Sequence, residues 1–352
     1  MSLTFTHETF PQRVVFASNQ AVRHVAAEVA RLGRRPLVIA AGAERHLAEP
    51  VLASLPDAVH HREVAMHVPA AVAERARAAA AEHDVDVLVS VGGGSTTGLA
   101  KAVALTTGLP IVAVPTTYAG SEATDVWGLT ENGRKTTGSD RRVLPRTVIY
   151  DAALTLSLPA ELSVASGLNA LAHCVDSMWA PRTDPVNQAL ALAGVRALSS
   201  GLPLVLGEPY GLEGREQALY GAYLAAVAFA SAGSGLHHKI CHVLGGMFNL
   251  PHAQTHAVVL PQVLALNAPA VPDRERQLAD AFGAETASGG LRRLRTRIDA
   301  PRALRDHGMR EADLPAAIDA ILAVVPAGNP VPVTAARLDL LLRRAWAGEE
   351  PE

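Results

Sequence analysis

The sequence predicts an α/β domain built on a parallel sheet, followed by an all-helical domain. Three observations carry this. The chain has 352 residues, enough for two domains at roughly 100–200 residues each. Up to about Leu156, short apolar runs ending in glycine or small polar residues alternate with helical text, the pattern of parallel strands joined by crossover helices. Beyond that point strand-like text almost disappears and long Ala/Leu-rich helical patterns take over. The domains are expected at residues 1–155 and 156–352.

In order, RVVFAS (Arg13–Ser18) reads as an additional first strand, and RPLVIAAG (Arg35–Gly42) as a buried strand running into glycine. DVDVLVSVGGG (Asp84–Gly94) is a second such strand, followed by a helical stretch, and then by PIVAVPTT (Pro110–Thr117) and RTVIYD (Arg146–Asp151). Composition narrows the function classes. Hydrophobic residues at 49% exclude a disordered chain. Lys+Arg at 31 against Asp+Glu at 34 leaves no basic excess for nucleic acid or an anionic membrane. Two cysteines exclude a disulfide scaffold and a four-cysteine zinc site. Aromatics at 4% mean that the core must be mostly Ala, Val and Leu. The N-terminal MSLTFTHETFPQR has no basic flank before an apolar run, and apolar stretches such as Ala218–Ala232 fall short of about 20 spanning residues. A soluble cytoplasmic protein is the expectation, with no membrane or nucleic-acid partner.

VGGGSTTGLAK (Val91–Lys101) leaves a strand and opens a helix. Glycines let backbone approach a phosphate, and a helix N-terminus offers free N–H groups with a partial positive charge. Gly92, Gly93, Gly94 and Ser95 are therefore candidate pyrophosphate contacts of a Rossmann-like domain, against a plain tight turn. VPTTYAGSEAT (Val114–Thr124) brings Thr116 and Thr117 to the same sheet edge, where open α/β sheets bind ligands.

Of the 14 histidines, five fall between positions 237 and 256: His237, His238, His242, His252 and His256. His238 and His242 are four apart and share a helix face, as do Asn169 and His173 in GLNALAHCVDS. Two helices each carrying such a pair can face one pocket. The cluster lacks a carboxylate to complete a divalent-metal site. The nearest acid, Asp176, reads equally well as a same-face partner of His173 or as a solvated surface residue.

Together these segments resemble the iron-containing alcohol dehydrogenase superfamily over nearly the whole chain: GGGS followed by AK, PTT with GSEAT, GLNALAH, GLHHKICHVLGG and LPHAQTHAVVLP. The resemblance implies a dinucleotide-binding α/β domain joined to a helical domain, the dehydroquinate synthase-like architecture. It implies metal positions at Asn169, His173, His238 and His252, with His242 as a further active-site histidine near the nicotinamide. Three positions depart from the superfamily pattern. Asn169 stands for the ligand Asp, Gly98 for the Asp of the glycine-loop helix, and Ala253 for the Gly of the PHG loop.

GGGSTTGLAK, PTTYAGSEAT, GLNALAHCVDSMWAP, NPVPVT (Asn329–Thr334) and MHVP (Met66–Pro69) resemble more narrowly the branch that reduces maleylacetate. That branch implies NAD(P)H-dependent reduction of the C=C of 2-maleylacetate to 3-oxoadipate in aromatic degradation, a dicarboxylate substrate, and a homodimer. With the carboxylate gone, imidazoles of His173, His238, His242 and His252 are expected to replace a metal, and Asn169 to hold a substrate carboxylate or orient an imidazole. Tyr118 is a candidate hydrogen-bond donor or a packing residue. Lys239 is a candidate cation for the substrate or a solvated side chain. Cys174 and Cys241 read as packing residues. The strand end at Gly42, where relatives place an Asp against the adenosine ribose, carries no acid, so NADH and NADPH are both expected as cofactors and metal is not. The alternatives are a metal-dependent alcohol or aldehyde dehydrogenase of the same fold, a lyase using NAD transiently, and a non-catalytic dinucleotide-binding module.

Overall fold

The computed structural model describes residues 4–131 and 134–351. It divides into two compact units. One is Phe10–Leu158, and the other runs from Pro159 onward and takes in the N-terminal residues up to Thr9. That N-terminal segment is tied to the helical unit by His7, whose Nδ1 lies 2.8 Å from Asp184 Oδ2.

The α/β unit runs β1 (Arg13–Phe16), α1 (Ala21–Leu32), β2 (Pro36–Ile39), α2 (Arg45–Ala53), β3 (Val59–His61), α3 (Ala70–Glu82), β4 (Val87–Gly92), α4 (Gly94–Thr107), β5 (Ile111–Pro115), β6 (Val126–Glu131), β7 (Arg134–Ser139) and β8 (Thr147–Tyr150). Six strands pair in the order β1-β8-β5-β4-β2-β3, every pair parallel. All residues of β2, β4, β5 and β8 are buried, which is why these strands read as continuous apolar runs rather than alternating ones. The order reverses between β2 and β4: β3 lies outside β2, while β5 and β8 lie beyond β4. The crevice for a ligand opens at the carboxyl ends of those two strands.

Two elements go beyond the sequence reading. β3 is a three-residue edge strand, too short to leave a periodic signal. β6 and β7 form an antiparallel hairpin whose segments, VWGLTE and RKTTGS, neither alternate nor run apolar, so periodicity does not mark them. The hairpin holds a tight segment, since Thr130 N–H and Oγ1 donate to the carbonyls of Val68 and His67 at 3.0 and 2.8 Å. His67 and Val68 have φ of 61° and 49°, a conformation costly for a β-branched residue. Gly98 answers to this segment: a side-chain carbon there would lie 3.0 Å from Val68 Cγ2.

The helical unit comprises α5 (Ala160–Ser177), α6 (Pro185–Gly207), α7 (Leu212–Ala232), α8 (Leu236–Phe248), α9 (His252–Asn267), α10 (Pro272–Phe282), α11 (Ala287–Arg297), α12 (Leu314–Leu322) and α13 (Ala335–Ala347). Helices α5, α6 and α7 meet through glycine. A Cβ at Gly201 would lie 2.8 Å from the backbone nitrogen of Ala218, and one at Gly214 2.7 Å from that of Val205. Such backbone approach fills space without large side chains, so a core poor in aromatics stays densely packed. By length and composition α6 could cross a membrane, but it packs against α5 and α7 with Asn187 and Gln188 buried, as a core helix does. Along α8, Leu236, Ile240 and Leu244 sit in one apolar core with Val259 and Val263 of α9. That spacing leaves His238 and His242 on another face.

Candidate active site

The glycine loop lies at the point where the sheet order reverses. Gly92 ends β4 with φ of +154°, and a side chain there would collide with Glu44 and Thr96. Gly93 precedes α4 without a side-chain cap. A Cβ on Gly93 would come 3.0 Å from Thr117 Cγ2, and one on Gly94 3.4 Å from Ala119 Cβ. The N–H groups of Gly94 and Ser95 belong to the first turn, which an α-helix cannot pair internally. A cradle that side chains would fill, facing an uncapped helix end, suits a pyrophosphate. Gly42 is exposed with open space around it. Thr116 is nearly buried and its Oγ1 donates to Glu44 Oε1 at 2.9 Å. The expectation that no acid stands beyond β2 therefore overlooks Glu44, in a 3-10 turn (Gly42–Glu44) just past the strand. Position along the chain hid it, because the turn and not the strand end carries the carboxylate.

The loop after β5 is anchored from within. Lys101 on α4 is fully buried and donates to the carbonyls of Ser121, Thr124 and Val126 at 2.6, 2.9 and 2.8 Å. Burial draws its pKa down to about 7, while these oxygens favour the ammonium form. Tyr118 in that loop is fully buried.

In the helical unit, α5, α8 and α9 bring six imidazoles together. His173 stacks on His238 (ring centroids 4.9 Å apart, 16° between planes) and on Phe229 (4.8 Å). His238 lies 6.0 Å from His242, and His242 lies 6.2 Å from His252. His242 and His252 are exposed, whereas His237, His238 and His256 are buried. The cluster thus runs from an accessible rim into the core. At its deep end His237 Nε2 and His256 Nδ1 form a 2.9 Å hydrogen bond. In the sequence His256 is one of five clustered histidines, and only the fold shows it ringed by His237, His238 and His252. Burial lowers the pKa of His173 and of His237 to about 3, so both rings are neutral at physiological pH.

Asp176 is the residue that the sequence undervalued. It is fully buried and is the penultimate residue of α5. Its carboxylate accepts from Gly235 N–H at 2.8 Å and lies 2.7 Å from His238 Nδ1. It therefore caps the start of α8 and orients the His238 ring at once. Gly235 has no side chain because one would collide with that carboxylate. Burial raises the Asp176 pKa to about 7, against the hydrogen bonds from Gly235, His238 and His237 that favour the anion. With Nδ1 engaged, His238 Nε2 is left buried and unpartnered, as are Asn169 Oδ1 and His173 Nδ1. Orphaned polar atoms are costly, and a polar ligand would relieve that cost. Lys239 is half-buried. Cys174 and Cys241 are free and buried, and burial raises both thiol pKa values.

The positions where the superfamily holds a metal do not fit one here. Asn169 supplies a neutral amide oxygen in place of a carboxylate. The rings of His173 and His238 stack nearly parallel, and among the described residues these two with His252 do not form a group whose ligand atoms all lie within 4.8 Å of one another. Among the described residues, the trio of ligand-type side chains whose atoms lie within 4.8 Å of one another is His237, Cys241 and His256. There the two imidazoles already bond each other, and burial keeps the thiol protonated.

Models of two domain families match the chain: iron-containing alcohol dehydrogenase over residues 11–152, and the Fe-containing alcohol dehydrogenase C-terminal domain over 163–346. A maleylacetate reductase of Pseudomonas sp. (strain P51) is 45% identical, covering 99% of this chain and 100% of the relative. The crystal structure of an iron-containing alcohol dehydrogenase from Corynebacterium glutamicum superposes with a TM-score of 0.97 at 58% identity, covering 99% of both chains. That of maleylacetate reductase from Rhizobium sp. strain MTP-10005 superposes with a TM-score of 0.93 at 44% identity, again covering 99% of both.

Proposed function

The chain belongs to the iron-containing alcohol dehydrogenase family, and from that premise we propose that it reduces the carbon–carbon double bond of maleylacetate with a nicotinamide cofactor and without a metal. Full-length likeness to maleylacetate reductases supports the substrate. The imidazole cluster in which Asn169 stands where a ligand carboxylate is needed carries the metal-free reading.

Gly92, Gly93, Gly94 and Ser95 would hold the pyrophosphate on the free N–H groups of α4. Bound there, the reduced nicotinamide supplies a hydride. The substrate alkene is conjugated to a ketone, so hydride addition at the carbon β to that ketone leaves an electron pair on the ketone oxygen as an enolate. A proton at the α carbon then completes the saturated product. Stabilising the enolate requires a hydrogen-bond donor fixed in place before the reaction. His238 fits that task when the Asp176–His238 pair holds two protons, one in the 2.7 Å bond at Nδ1 and one on the unpartnered Nε2, a state that the Asp176 pKa, raised by burial to about 7, permits near neutral pH. His242 and His252 stand at the accessible rim, suited to exchange the α-carbon proton with water. Asn169 Oδ1 and His173 offer further polar contacts to the substrate.

The deciding assay follows NADH consumption by the full-length protein with maleylacetate, with and without EDTA. Turnover of maleylacetate that changes less than about twofold with chelator is expected, well below the loss that follows removal of a catalytic metal. Chelator-sensitive turnover of simple alcohols would instead establish a metal-dependent alcohol dehydrogenase.

A further inference from the structure

We infer that Lys239 holds the carboxylate joined through a methylene to the ketone of maleylacetate, and so makes the site selective for a dianion; the inference rests on the reductase reading above. A site that takes a dianion out of water needs a cation to meet it. The imidazoles do not supply that charge, since burial keeps rings such as His173 and His237 neutral. Asn169 offers an uncharged amide. The three helices that build the cluster are α5, α8 and α9, and a single Lys or Arg lies on them, Lys239.

Lys239 follows His238 on α8 and stands three residues before His242, a spacing that makes helix side chains neighbours. It is half-buried, and among the described residues its ammonium has no hydrogen-bond or ion-pair partner. Its charge also reaches the cluster, where it favours the anion of the Asp176 carboxylate behind His238. Arg182, near the start of α8, is engaged instead, donating to the carbonyls of Ser231 and Ala230 at 3.1 and 3.3 Å. In maleylacetate one carboxylate is separated from the ketone carbon by a single methylene. With the ketone oxygen at His238 Nε2, that carboxylate comes within reach of the flexible four-carbon stem of the next residue. Lys239 then binds the substrate without touching the carbons that react.

The test compares kcat/KM for maleylacetate with that for cis-4-oxopent-2-enoate, read as NADH consumption by the full-length protein. This analogue keeps the alkene, the ketone and the other carboxylate, and carries a methyl group in place of the carboxymethyl group. The natural protein should favour maleylacetate by at least ~10-fold, the scale of a hydrogen bond to a charged group. Lys239→Met keeps most of the stem and removes the charge. It should lower kcat/KM for maleylacetate by at least ~10-fold, mainly through KM, and change that for the analogue less than ~3-fold. Lys239→Arg should retain more of the maleylacetate activity than Lys239→Met. Equal losses with both compounds in Lys239→Met would mark a structural role and overturn the assignment. Undiminished maleylacetate reduction by that variant, or a natural protein that does not distinguish the two compounds, overturns it as well and leaves the reductase reading standing. A natural protein that reduces neither compound overturns the reductase reading together with it.

Discussion

The glycine loop and the imidazole cluster are polar sites built in opposite ways. The loop is made by what is missing: side chains absent at Gly92, Gly93 and Gly94 expose backbone N–H groups at a helix end. The cluster is made by side chains that only the fold assembles, from three helices and with a buried carboxylate behind them. A backbone site is set by local sequence and tolerates change around it. A side-chain site depends on every ring keeping its orientation. The two should therefore separate in experiment, the loop governing dinucleotide affinity and the cluster governing turnover and acid stability.

The strongest probe of that separation is removal of the imidazoles. His238→Ala and His242→Ala should each lower kcat by at least ~100-fold while the KM for NADH moves less than about threefold, since both remove a proton donor and leave the loop intact. Steady-state kinetics with each substrate varied would show it. If both variants retain near-normal turnover, or if KM for NADH moves as much as kcat, the division fails.

A smaller effect should come from the carboxylate behind the cluster. Asp176→Asn keeps the shape but removes the charge that orients His238 and caps α8. It should cost about 10–100-fold in kcat, the usual range for a residue that orients a functional imidazole. A kcat equal to that of the natural protein, at equal thermal stability, would show that the ring holds its place unaided.

The least drastic test is pH. His173 and His237 have folded-state pKa values lowered to about 3 from 6.5 by burial. Between those values the unfolded chain binds protons that the folded chain does not. Their contribution to stability is thus fully present above about pH 6.5 and is lost as pH falls. With two such rings the loss is on the order of 2–3 kcal/mol per pH unit. Thermal melts stepped from pH 7 to about pH 5 should show a steep fall in Tm. His237→Gln should flatten that fall, and equal slopes in both proteins would contradict the neutral buried pair.

The same contrast explains what could be read from the chain. Strands β2, β4, β5 and β8 were legible because burial on both faces writes them as unbroken apolar runs. The pairs His238/His242 and Asn169/His173 were legible because helical spacing places four-apart residues on one face. Asp176 was not, since seven residues beyond Asn169 an acid has the same text whether it faces water or a neighbouring helix. Glu44 was not, because its partners Thr96 and Thr116 lie 52 and 72 residues away.

By itself the sequence determined the α/β-then-helical order, the glycine loop, the family, and which histidines would gather. Each of these is periodicity, composition or local spacing, which survives in one dimension. Only the tertiary structure decided that the metal positions do not converge, that Asp176 braces His238, that His237 bonds His256, and that Glu44 meets Thr116. Those outcomes are set by ångström-scale distances between helices and turns far apart in the chain. A buried charge or imidazole takes its character from the partner that folding places beside it.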